Sequence, residues 1–395
     1  MDLLKGIVVL DLSHVLAGPY CTMMMGDYGA DVIKVERPGI GDDTRAWGPP
    51  FAGGESAYFL SINRNKRSIT INMKTEEGKT IIRDLAAQSD VVIENFSPGT
   101  MDRLGLGREA LMALNPKLIY CSLSGYGQTG PDSGLPGFDV VIQARGGMMS
   151  LTGSPDGPPT VTGISIVDLF AGLHALNAIL ACLVARKETG RGHYLDMALL
   201  DSQVNILSHQ ATSFLMTGKA PQRRGNTHNN IVPYQTFKTK DGYVNIAAGN
   251  DKLWQCFCKA LNLTAFSNDP LYATNAKRVE NRAELVPQLE RIIAGWDGCE
   301  LVRVLSEAHV PAAQVQDMKG VFSDPQVLAR EMIAESDHPT AGKLRTPAAA
   351  GLIDGHKPAV RCAPPLLGQH TAEILSEKLH YEAAKIAALK AAGVV

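Results

Sequence analysis

Short apolar runs alternate with helix-length segments through the first third of this sequence, and that alternation leaves the chain few ways to fold. The run IVVLD at 7–11 lacks the apolar/polar period of a strand wetted on one face, as expected for a strand buried on both. Residues 13–19 follow as loop, 20–28 as a helix closed by Gly29, and DVIKV at 31–35 as a second strand: a βαβ unit. The pattern repeats with strand at 67–72, helix at 76–88, strand at 91–93, helix at 108–115 and strand at 118–123. This order predicts an α/β fold, with a large Rossmann-like domain on an open parallel sheet.

The Gly/Pro-rich stretch 125–137 is expected to be loop, with helices resuming at 138–149 and 169–187. Residues 218–225 read as linker. Beyond them, 235–248 alternates around Asp241-Gly242, a strong hairpin signal. Helices at 250–262, 279–295 and 299–308 then complete a smaller α+β domain. The chain ends in two helices, 371–378 and 381–392, with Gly393 as C-cap. The expected division is 1–205 for the large domain, 206–225 for the linker, 226–330 for the small domain, and 331–395 for a second linker and a return to the large domain.

Charge and cysteine content exclude several functions. The 38 Lys+Arg and 40 Asp+Glu give a formal net charge of −2. No overall field attracts nucleic acid or an anionic membrane, so a polyanion must be met by locally placed cations. The seven cysteines are odd in number and scattered, and the histidines form no HxxxH or HExxH pattern. A disulfide framework and a metal site are therefore not expected. The longest apolar stretch, 169–185, carries His174 and Asn177 and falls short of the roughly 20 residues of a bilayer span, so a buried helix is expected. Residues 1–10 show no basic leader segment. The expected location is the cytoplasm, or the mitochondrial matrix for a eukaryotic chain lacking its presequence.

Among the motifs, Gly125-x-Gly127-x-x-Gly130 has the form of a dinucleotide fingerprint, but Pro131 follows and no helix can open there to meet a pyrophosphate. Arg37 follows the second strand, where open α/β sheets bind ligands, although a solvated surface arginine has the same pattern. With Lys74, Arg103 and the cluster NRNKR at 63–67 it could serve a polyphosphate; charge clusters are otherwise solvated faces. His14, in the first loop, is the histidine best placed for a site. Asp168 precedes the long apolar helix and has two readings: an N-cap, or a carboxylate whose anion the helix terminus favours and which could attack an acyl carbon. No GxSxG elbow is present.

LAGP at 16–19, GADVIKVERP at 29–38, NRNKRS at 63–68, DVVIENF at 90–96 with Pro98-Gly99, SGYG at 124–127, Gly190-x-Gly192 and PLLGQHT at 365–371 together resemble one family. It is the class III CoA-transferases, the carnitine and formyl-CoA transferase group. The resemblance implies that Asp168 is a nucleophile. It attacks an acyl-CoA thioester to give an aspartyl anhydride and CoA thiolate, the thiolate returns to form an aspartyl-CoA thioester, and an acceptor carboxylate reverses the sequence. Coenzyme A is then a substrate, acyl-CoA and carboxylates are the partners, and no metal or redox cofactor is implied. Arg37 would bind a CoA phosphate, and Ile71, Asn72, Met73 and Lys74 would line adenine and ribose. Asn95, Phe96 and Arg103 would continue the CoA path, and Phe138 and Asp139 would border the thioester. Val15, Leu16 and Ala17, next to His14, would border the acyl group. The family also implies an interlocked homodimer.

The runs GDDTRAWGPP at 41–50, IVPYQ at 231–235 and FKTKDGY at 237–243 look closest to members that transfer CoA from succinyl-CoA to glutarate. A dicarboxylate needs a second cation, and Arg45, Arg64, Arg145 and His228 are the candidates. The same fold hosts 2-methylacyl-CoA racemases, in which a histidine stands where this chain has Phe138. Without that base the transferase is preferred. A CoA-binding protein without chemistry is the remaining alternative.

Overall fold

The structure is a computed structural model and describes residues 2–395. The chain divides into two compact units, one formed by residues up to Met148 with Val161–Lys219 and Leu328–Val395, the other by Met149–Thr160 and Ala220–Val327.

The first unit is built on a six-stranded sheet of β1 (Val8–Asp11), β2 (Asp31–Glu36), β3 (Lys66–Thr70), β4 (Val91–Glu94), β5 (Ile119–Ser124) and β6 (Tyr194–Ala198). Their order is β3-β2-β1-β4-β5-β6 and every pairing is parallel. Successive strand residues point to opposite faces, which explains the uninterrupted apolar runs. Leu10, Ile33, Ile69, Val92 and Tyr120 pack with Ile81, Ile82 and Leu85 of helix α2 (Glu76–Ala87). Val9, Val32, Val91, Ile93 and Ile119 pack on the other face with α1 (Ala17–Asp27) and α4 (Ile166–Thr189), which α3 (Asp139–Arg145) precedes. The strand β6 was not expected from sequence. It lies at the sheet edge with Asp196 exposed, so no apolar run marks it.

Two helices near the site differ from expectation. Helix α1 starts at Ala17 rather than at residue 20, because Pro19 falls in its first turn, where a missing N–H leaves no helical bond unmade. Helix α4 is longer than 169–187, at 24 residues, and by length and composition alone is apolar enough to cross a bilayer. Its buried face, Val167, Ala171, Ala175 and Ile179, packs in the core, while Phe170 and Val184 are exposed. The crossing of α1 and α4 is close: a Cβ on Gly172 would lie 2.6 Å from the Ala17 carbonyl oxygen.

Residues near the C-terminus run along the edge strand β3. The His370 amide donates to the Ser68 carbonyl at 2.9 Å, and the Ser68 amide donates back to His370 Nδ1 at 3.2 Å. The Asn72 amide donates to the Val394 carbonyl at 2.7 Å. The edge is thus covered rather than left open to other chains.

Gly192 shows how tightly β6 is joined to β5. Its amide donates to Pro116, and a Cβ there would lie 1.9 Å from the Leu118 carbonyl oxygen. Gly192→Ala should cost about 1–3 kcal/mol, read as a lowered urea midpoint at unchanged m-value.

In the second unit, strand Tyr243–Ala247 pairs antiparallel with Tyr234–Lys238 and Ala312–Gln314. Helices Asp251–Ala260, Arg282–Ile293 and Gly298–Glu307 cover a core around Phe237, Trp254, Phe257 and Leu289. Met149–Thr160, expected in the large domain, groups here because the Gly225 amide donates to Gly153 and the Arg223 guanidinium to Gly157.

Candidate active site

The chain leaves β1 toward one side of the sheet and enters β4 on the other, so the loops after these neighbouring strands part at a topological switch point. They are locked together there. The Asn95 side chain accepts from the His14 amide at 2.9 Å and donates to the His14 carbonyl at 2.7 Å. The His14 ring packs 5.4 Å from the Phe96 ring.

Two cavities open on either side of this clamp. One, of about 380 Å3, is lined by His14, Val15, Leu16, Ala17, Asn95, Phe96, Phe138 and Asp168, with Ser97, Pro98, Ser124 and Leu199 among the rest. The other, of about 270 Å3, is lined by His14, Lys34, Arg37, Asp42, Ile71, Met73 and Phe96. Thus Arg37, Ile71 and Met73 meet in one, Val15, Leu16, Ala17, Phe138 and Asp168 in the other, and His14 and Phe96 belong to both.

Asp168 is half-buried in the first turn of α4, but it is not the cap. The N-cap is Ser165, and the exposed amides of the turn are satisfied by Asp139 instead. Asp139 Oδ1 accepts from the Val167 amide at 2.8 Å and the Asp168 amide at 3.4 Å, while its Oδ2 accepts from Gln143 at 2.7 Å. Asp139 therefore supports the helix rather than lining the cavity. The expectation that the helix terminus keeps Asp168 anionic is corrected: burial, reinforced by the neighbouring Asp139 charge, pushes its carboxyl up to about 7.

Tyr58, on the short helix Ala57–Ile62, joins this region without having been expected from sequence. It is hydrogen-bonded to Ser165, and burial together with Asp168 pushes its phenol up to about 12. Its ring stands edge-on to Trp47 at 5.3 Å.

Behind His14 lies a buried charge network, also unforeseen. Lys34 Nζ donates to Asp42 at 2.9 Å and to the Ser13 carbonyl at 3.0 Å, and Lys66 Nζ donates to Asp11 at 3.1 Å. All four side chains are buried. Burial raises the Asp11 carboxyl, but Lys66 and Lys34 together bring it below its ordinary value. Burial draws Lys66 down to about 8 against the pull of Asp11. The available signal was Lys34 inside the otherwise apolar run of β2. A lysine there needs a buried carboxylate.

The other expected residues lie elsewhere. Lys74 and Arg103 are exposed, and Arg103 donates to the Thr100 hydroxyl at 2.8 Å. The Asn72 side chain accepts from the Lys74 amide. Arg45 is held by Glu36 at 2.7 and 2.8 Å and lies over the Phe59 ring, while Arg64 forms a two-pronged pair with Asp27 at 2.7 and 2.9 Å. Both guanidiniums are committed to internal carboxylates and are not available to a substrate. Arg145 pairs with Asp132 and lies over Tyr126. His228 belongs to the second unit, where its ring accepts from the Asn230 amide. Among the described residues, no three His, Cys, Asp or Glu side chains come together as metal ligands would.

The switch point of an open α/β sheet, here with cations and a half-buried carboxylate around it, is where folds of this class hold their ligands. The model of CoA-transferase family III matches residues 4–371, and the chain belongs to that family. It is a CoA-transferase, and CoA is a substrate of its relatives. It is 46% identical to the human succinyl-CoA:glutarate CoA-transferase over 99% of this chain and 90% of the relative. It is 42% identical to the succinate--glutarate CoA-transferase of Agrobacterium fabrum over 95% of both chains. The crystal structure of a CAIB/BAIF family protein from Brucella suis superposes with a TM-score of 0.85 at 42% identity, covering 95% of this chain and 98% of that one.

Proposed function

We propose that the enzyme moves CoA from succinyl-CoA to glutarate or a similar short dicarboxylate, with Asp168 as nucleophile. The observation carrying this reading is that, among the described residues, Asp168 is the only carboxylate lining the larger of the two cavities beside the His14–Asn95 clamp. The relatives named for glutarate support the acid pair.

In this reading Arg37, Ile71 and Met73 hold the nucleotide end of CoA, Asn72, Lys74 and Arg103 lie along its outer path, and pantetheine passes over the His14–Phe96 pair that borders both cavities. One Asp168 oxygen attacks the thioester carbon, forming the anhydride bond as the C–S bond breaks and its electron pair leaves with sulfur. The thiolate then attacks the aspartyl carbonyl carbon, releasing the first acid as carboxylate. Burial pulls the His14 imidazole below its ordinary value, so it is neutral at pH 7 and brings no charge of its own to the cavity. Of the cations considered for the distal carboxylate, Arg145 remains in the first unit, paired at the surface with Asp132.

An attacking carboxylate must be ionised. Since the Asp168 carboxyl titrates at about 7, kcat/KM should climb about tenfold per pH unit below 7 and level off above about 8. A profile flat from pH 5.5 to 8.5 would show that the Asp168 carboxyl is not raised to about 7. The defining test is a matrix of acyl-CoA donors against carboxylate acceptors. Succinyl-CoA and glutarate should be the best pair, and exchange confined to monocarboxylates would refute the assignment.

The homodimer fits the exposed apolar residues of the first unit: Leu215 and Met216, each 81% exposed, with Phe214 and Val184. Light scattering should give twice the chain mass.

A further inference from the structure

Val15, which lines the cavity with Asp168, has φ 68°, in the left-handed region that a β-branched residue avoids. Such a backbone persists only where its surroundings leave no alternative. Here they are explicit. The Val15 amide donates to both oxygens of Asp42, each at 3.3 Å. Lys34 bridges that carboxylate and the Ser13 carbonyl. The Ser13 amide and hydroxyl both bind Asp11, and Asn95 clamps His14 on either side. Asp42 is itself aimed by Thr44, whose amide and hydroxyl donate to it at 3.0 and 2.7 Å. Every residue from Ser13 to Val15 is thus fixed from behind by a buried charge or amide.

We propose that Lys34 and Asp42 are positioning residues for the transfer step. Acting through the backbone of Ser13 and Val15, they hold the wall formed by Val15, Leu16 and Ala17 in the one conformation that seats the acyl carbon against Asp168. The inference rests on the reading of Asp168 as nucleophile. Neither residue lines the Asp168 cavity, but both line its neighbour. A role in binding CoA would therefore appear in KM for acyl-CoA, whereas positioning appears in kcat, since small misplacement of reacting atoms slows the chemical step.

Glycine takes positive φ without strain, so a glycine at position 15 no longer needs to be held there. The test is a mutant cycle on full-length protein. Asp42→Asn should lower kcat about 30-fold with KM for succinyl-CoA changed less than about threefold, and in the V15G background the same substitution should cost less than about threefold. Thr44→Val keeps the charge pair and loses only one hydroxyl bond. It should give a smaller kcat loss that V15G also absorbs, and it serves if Asp42→Asn does not fold. Equal kcat losses in both backgrounds, or a loss confined to KM, overturns the positioning role. Absence of transfer and of any Asp168 adduct in the wild-type enzyme would instead refute the nucleophile.

Discussion

Asp168→Ala should abolish CoA transfer, lowering kcat by about 10^4-fold or more, the scale at which removal of a covalent nucleophile is felt. Incubation of the wild-type enzyme with succinyl-CoA and hydroxylamine should leave a modified aspartate at 168, located by peptide mass, and the variant should show none. The structure makes this a clean experiment. The first turn of α4 is held by Asp139, so losing the Asp168 side chain removes no cap, and the helix should keep its stability. Asp168→Asn should even stabilise the fold. The carboxyl has its folded-state pKa raised to about 7 from an ordinary 3.8, so the native state holds the proton more tightly and stability falls as pH rises between these values. The advantage of Asp168→Asn should be largest above pH 7 and shrink toward pH 4. An advantage unchanged across that range would show that the carboxyl is not raised in the folded state.

Asp11→Ala should be among the most destabilising single changes in the first unit, at about 3–5 kcal/mol, because it leaves Lys66 buried without its counter-charge. Lys66 would keep only the Pro19 carbonyl, at 2.8 Å, and Asn63 Oδ1, at 2.9 Å. Ser13 would lose its acceptor as well, and the Thr22 hydroxyl would keep only the Gly18 and Pro19 carbonyls. Adding Lys66→Met to Asp11→Ala should recover part of the loss, since the unpaired charge then disappears. Urea unfolding of the two variants decides it: a double variant no more stable than Asp11→Ala alone would mean that the hydroxyl bonds, rather than the ion pair, carry the effect.

Strands β1, β2, β4 and β5 were legible because each is buried on both faces, and an apolar run is the direct signature of that burial. The edge strand β6 lacks such a run and could not be found that way. Asp168 was legible as a residue to watch from its place before an apolar helix, but not its charge state. That depends first on burial and then on the charge of Asp139, 29 positions earlier in sequence, both of which only tertiary folding brings to the helix turn. The pairing of Arg45 and Arg64 was not legible for the same reason. Their partners Glu36 and Asp27 lie elsewhere in the sequence, and only the packed loops bring each pair together. Lys34 stands inside the motif GADVIKVERP at 29–38, whose resemblance to a family says nothing of its burial. A charge at the centre of an apolar strand is itself the warning that a carboxylate must come to meet it.

The covering of β3 by residues near the C-terminus has a consequence for the order of events during synthesis. Ser68 meets His370 across 302 positions, and Gly368 meets Ser68 across 300. A nascent chain therefore emerges with most of its sheet already translated while the edge strand still lacks its cover, and it stays so until residues 368–394 have left the ribosome. At ordinary translation rates of ~5–20 residues per second, that interval is tens of seconds, during which the uncovered edge is a ready target for mispairing or for a chaperone. Completion of the first unit for this reason waits on residues made some 300 positions after its edge strand.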